Sequence, residues 1–80
     1  MNTCIIFLKR PLFYTQKKIV NLLCKHFSVK MNSISKDCVT LSNDELLISV
    51  RKRIIDFAVF SDNKTHKKYL FTQAKSLFRN

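Results

Sequence analysis

Eighty residues with fifteen Lys and Arg against five acids give a net charge of +10 and room for one small domain at most. Glycine is absent and proline occurs once, which excludes a glycine-lined phosphate loop and argues against a hairpin-rich all-β fold, because tight turns draw on those residues. An all-α fold class is therefore expected, a small helical domain or fragment with a basic N-terminal extension, and its charge favours nucleic acid, anionic lipid or an acidic protein as partner.

The chain opens with Ile5, Ile6, Phe7 and Leu8, a run too short to span a bilayer and without the preceding basic residues of a secretory signal. Pro11 biases Arg10 away from helix and ends this first segment. Over residues 15–27, Ile19, Val20, Leu23 and Phe27 recur at helical spacing with Lys17, Lys18 and Lys25 around them, which predicts a helix. Residues 1–36 hold seven basic residues and no acid, whereas residues 37–80 hold eight against five. A basic, acid-free, hydroxyl-containing N-terminus is the composition of a mitochondrial transit segment, and Arg10-Pro11-Leu12-Phe13-Tyr14-Thr15 resembles a processing sequence. Residues 1–27 are thus expected to direct mitochondrial import; the competing reading is a basic arm that stays attached and contacts phosphates. Residues 28–40 are polar, Ser-rich and without clean period, as in a linker.

Residues 41–60 carry the clearest start signal. Ser42 and Glu45 stand at capping-box spacing, with Leu41 and Leu46 at the staple positions. Leu47, Val50, Ile54, Phe57 and Ala58 then share one helical face, opposite Ser49, Lys52, Arg53 and Asp56. A strand alternative exists, because Ile55, Phe57 and Val59 alternate around Asp56, but the cap selects a helix. Residues 61–68 read as a loop, and Tyr69, Leu70, Ala74, Leu77 and Phe78 predict a second short helix, so residues 41–80 form the expected helical segment.

The order Leu41, Ser42, Glu45, Leu46, Val50, Ile54, Ile55, Phe57 resembles the first helix of mitochondrial acyl carrier proteins, and the stretch AKSLFRN over residues 74–80 resembles the lead-in to their Asp-Ser-Leu motif. The resemblance implies a truncated or fragmentary carrier-like protein of mitochondrial fatty acid synthesis. It transfers no prosthetic-group serine, since Ser76 follows Lys75 where the motif requires aspartate. The long basic loop and Arg51, Lys52 and Arg53 depart from a family that is acidic.

No catalytic, metal or cofactor-binding residue is assigned. Cys4, Cys24 and Cys38 form an odd set without a paired spacing, which points to a reducing compartment. Cys24 and His26 lie two apart and point to different sides of a helix, and His66 among lysines has no nucleophile to serve. An enzyme is not expected. The alternative to the carrier reading is a small basic RNA-binding or structural subunit of a mitochondrial assembly, with a protein partner, RNA as a candidate partner, and no transmembrane segment. Seven Phe and two Tyr among the basic residues supply stacking surfaces for such a role, or simply a core.

Overall fold

The computed structural model describes residues 4–11, 13–60 and 64–78, with backbone alone for Cys4, Lys64 and His66. In chain order the elements are β1 (Cys4–Lys9), α1 (Gln16–Phe27), β2 (Lys30–Ile34), β3 (Val39–Ser42), β4 (Leu46–Val50), β5 (Ile54–Val59) and α2 (Lys64–Leu77). The strands form one five-stranded antiparallel sheet in the order β1-β5-β4-β3-β2. It is a four-strand meander with β1 added at the far edge.

This overturns the expected all-α fold class. The predicted helix over residues 41–60 is the second half of β3 followed by β4 and β5, and the predicted linker over residues 28–40 contains β2 and the first half of β3. Leu46, Ile48 and Val50 stand across from Val59, Phe57 and Ile55, so the side-chain period is two and these six residues share the core face. Ile54, which the helical reading placed inside, is 43% exposed, while Ile48 is fully buried. The supposed capping-box residues belong to a hairpin: Ser42 Oγ accepts from Asn32 Nδ2 at 2.6 Å, and Glu45 N donates to Asn43 Oδ1 at 2.8 Å. The residues from Leu41 to Phe57 that carry the acyl-carrier resemblance therefore lie in β3, β4, β5 and their turns, which conflicts with an acyl-carrier-like helix.

Hairpins form here without glycine because side chains complete the turns. In each connection of the meander a backbone N–H donates to the carbonyl three residues on: Ser35 to Cys38 at 2.9 Å, Asn43 to Leu46 at 3.0 Å and Arg51 to Ile54 at 2.9 Å. Among the described residues Ser28 alone has positive φ, so the loop residues need no left-handed conformation. Ser35 Oγ both donates to Cys38 O at 2.9 Å and accepts from Cys38 N at 3.2 Å. Asn43 Oδ1 accepts from Glu45 N and, at 3.0 Å, from Leu46 N, while its Nδ2 donates to Phe27 O at 2.9 Å. One side chain thus closes a turn and satisfies a terminal carbonyl of α1.

Because Asn43 makes three such bonds, Asn43→Ala should lower stability by roughly 2–3 kcal/mol in urea unfolding, at about 1 kcal/mol per bond. Asn43→Asp keeps the acceptor and should retain more than half of that. Were residue 43 the exposed first residue of a helix, alanine would be harmless.

The helix predicted over residues 15–27 is present as α1. Thr15 is extended (φ −69°, ψ 158°), its Oγ1 accepts from Lys18 N at 3.2 Å, and Ser28 ends the helix in the left-handed region at φ 54°. Ile19, Val20, Leu23 and Phe27 pack on the sheet, with the Phe27 and Phe57 rings 5.8 Å apart. α2 starts earlier than predicted, so residues 64–68 of the expected loop are helical; residues 61–63 of that loop, and residues 79–80 of the carrier-like lead-in, lie outside the described residues. Leu70 and Ala74 join the same core, and Tyr14 meets Phe78 edge to face at 6.1 Å.

Both helices therefore cover one face of the sheet. Among the described residues the other face carries no helix; it presents Ile5 and Phe7 of β1 across from Ala58 and Asp56, then Leu47, Ser49, Thr40 and Ser42. Residues 1–27, read as a targeting segment, supply both an edge strand and the helix that buries most side chains against the sheet.

Candidate nucleic-acid interface

The pairing register sorts charge to one end of the sheet. Lys9 stands across from Ile54, Val50 from Ile55, Val39 from Val50 and Ile34 from Val39, so the end of β1, the β4–β5 turn and the β2–β3 turn all lie together. Each brings basic residues: Lys9 and Arg10, then Arg51, Lys52 and Arg53, then Lys36. α1 begins at this same end and adds Lys17 and Lys18. A cleft between α1 and β2 is lined by both Lys17 and Lys36, and another joins Arg10, Pro11, Tyr14 and Lys52.

Local bonds hold this end in shape. Arg10 N donates to Arg53 O at 2.9 Å, and Arg10 Nη1 donates to Arg51 O at 2.9 Å, which fixes the chain entering α1 against the β4–β5 turn. Arg51 pairs with Asp56 at 3.2 Å and Lys52 with Asp37 at 3.5 Å. These pairs are surface-exposed on at least one side and contribute little to stability; they neutralise two cations and leave the field of Lys9, Arg10, Lys17, Lys18, Lys36 and Arg53 positive. The positive end of the α1 dipole adds to it, since the first turn has no acid. At the opposite end the β3–β4 turn carries Asp44 and Glu45, with Lys30 across from Ser42 and Lys67 and Lys68 beside Ile5 and Ile6, so that end is mixed in sign.

Aromatic rings stand among the cations. Phe13 is 85% exposed, and Lys18 Nζ lies 4.5 Å from the centroid of the half-buried Tyr14 ring. Phe27 and Phe57, by contrast, are core residues, and Phe78, just past α2, packs against that core.

Other residues weighed from the sequence do not gather into a site. Cys24 is half-buried beside the core, His26 is exposed on the last turn of α1, Cys38 sits in the β2–β3 turn and Ser76 is exposed on α2. His66 lies in α2, and its side chain is outside the described residues. Among the described residues no three His, Cys, Asp or Glu side chains converge to hold a metal ion, and no helix is long and apolar enough to cross a membrane.

The sequence shows the cations of residues 1–36 as one acid-free group and places Lys52 and Arg53 on the polar side of a helix. The signal that the helical reading passed over is the regular spacing of charged pairs, Lys36-Asp37, Asp44-Glu45 and Lys52-Arg53, which mark the three turns of a meander. No protein-family model, characterised protein or solved structure matches this chain, so the site stands on its own geometry.

Proposed function

We propose that the chain is a small RNA-binding module, not an enzyme, which holds the backbone of single-stranded RNA across the basic end of its sheet. The observation that supports this reading is the convergence of Lys9, Arg10, Lys17, Lys18, Lys36 and Arg53, from four separate segments, on one surface. Phosphates bind such a surface largely by releasing counterions, a gain that depends on salt and little on sequence. Phe13 offers a ring on which an unpaired base stacks, and Tyr14 with its overlying Lys18 forms a second, partly covered platform. Mitochondrial import is a separate proposal, and under it residues 1–27 would direct transport as an uncleaved segment, since β1 and α1 belong to the fold.

A salt titration checks the RNA reading. Fluorescence anisotropy with a labelled single-stranded RNA should give log K falling linearly with log salt, at about 0.7 per phosphate neutralised. The triple variant Lys17→Ala, Lys36→Ala and Arg53→Ala should flatten that slope by about 2 while leaving the thermal melt in place. Absence of RNA binding at low salt, or an unchanged slope in the variant, would sink the proposal.

A further inference from the structure

The two edges of the sheet are protected very differently. At the β2 edge the register slips between Met31 and Ser33, and Asn32 and Ser33 bond across to Ser42 and Thr40, so the strand is bulged and polar at its centre although Met31 and Ile34 are exposed as well. β1 has none of these devices. It pairs with β5 over all six residues without a register shift, carries a single charge at Lys9, and exposes Ile5 (55%) and Phe7 (61%). Its outward hydrogen-bonding groups follow from the ladder. Arg10 N donates to Arg53 O, and bonding alternates along an antiparallel pair, so Leu8, Ile6 and Cys4 bond to β5. The N–H and C=O of Ile5, Phe7 and Lys9 therefore point away from the sheet.

A groove runs beside this edge, between β1 and α2. One part is lined by Ile5, Ile6 and Phe71 with Lys67 and Lys68; the other by Leu8, Phe13 and Phe78 with Lys9 and Lys75. Lys75 Nζ lies 5.2 Å from the Phe71 ring centroid and joins the two parts. The floor is apolar, the rim is basic, and among the described residues no acid lines either part.

We infer that this groove binds an extended acidic peptide of a partner protein as a sixth strand. The outward groups of Ile5, Phe7 and Lys9 supply main-chain hydrogen bonds, apolar side chains at alternate positions of the peptide fill the groove, and its carboxylates meet Lys67, Lys68 and Lys75. The positive rim is what selects the occupant. A second copy of this chain would bring the same lysines to the groove, whereas an acidic strand is complementary to them. This surface shares Lys9, Arg10 and Phe13 with the RNA surface proposed above and adds the outward strand edge and the α2 lysines, so the test reads the edge amides and Lys67 and Lys68, which the RNA reading does not use.

The test is amide hydrogen exchange on the full chain with a short synthetic peptide alternating Glu and Val, beside a twin N-methylated at alternate residues. The amides of Ile5, Phe7 and Lys9 exchange fast in the free chain and should become protected by the peptide but not by its twin. Phe7→Pro removes one outward N–H at a position an edge strand tolerates, and should weaken the peptide by about tenfold or more. Lys67→Glu with Lys68→Glu should do the same without touching the strand, which keeps the test decisive if the proline variant does not fold. Equal protection by the twin, no protection, protection of these amides by single-stranded RNA instead, or a concentration-dependent dimer abolished by Phe7→Pro would each overturn the inference.

Discussion

A chain lacking residues 1–27 loses cooperative unfolding. That segment contributes β1, which pairs with β5 from Cys4 to Lys9, and α1, whose Ile19, Val20, Leu23 and Phe27 are buried in the core. Burying a side chain of these types stabilises by about 1.5–3 kcal/mol, so α1 alone accounts for roughly 6–12 kcal/mol of gross stabilisation. A chain of this size is stable by roughly 4–12 kcal/mol in total, at about 0.05–0.15 kcal/mol per residue. That gross contribution is comparable to the whole margin, and without α1 the core face of the meander opens to water. Residues 28–80 should show no sigmoidal thermal transition, and should expose Ile48, Phe57 and Val59 to a hydrophobic dye. A sharp transition in that fragment would mean that the meander and α2 form a core of their own.

Ile48→Ala and Ile54→Ala should differ by several kcal/mol although both remove the same atoms. Ile48 sits on the central strand, fully buried between Leu41 and Phe57, and its truncation leaves a cavity costing about 2–5 kcal/mol. Ile54 opens β5 on the uncovered face, across from Lys9, and its truncation should cost about 0.5 kcal/mol or less. A helix over residues 41–60 would rank them the other way, because Ile54 lies on its apolar face. Urea midpoints of the two variants, at constant slope, decide the period of this stretch. Similar losses at both sites would mean that the open face is covered.

The basic end and the β1 groove were only partly legible in the sequence. The number of cations and the acid-free first half are plain from composition, and so is the presence of aromatics among them. Which of those cations share a surface depends on strand register, since Lys36 and Arg53 are brought to Lys17 and Arg10 only by the pairing of β2 through β5 and β1. The groove likewise needs β1 to be an edge and α2 to lie beside it, and neither condition is written in a local pattern.

What the sequence by itself determined was α1. Its apolar residues follow one helical period, Thr15 supplies the cap, and both signals act within a few residues of each other, where local physics is sufficient. Residues 41–60 were not determined locally. Nine of the fourteen residues from Leu46 to Val59 are Leu, Ile, Val, Phe or Ala, so the stretch satisfies a period of 3.6 and a period of two at once, and Ser42 with Glu45 imitates a cap. Tertiary structure resolved the ambiguity: cross-strand pairing buries Leu46, Ile48 and Val50 together with Ile55, Phe57 and Val59 beneath α1 and α2. A lone helix would have left half of those side chains in water, and that difference in buried apolar surface outweighs the local signal.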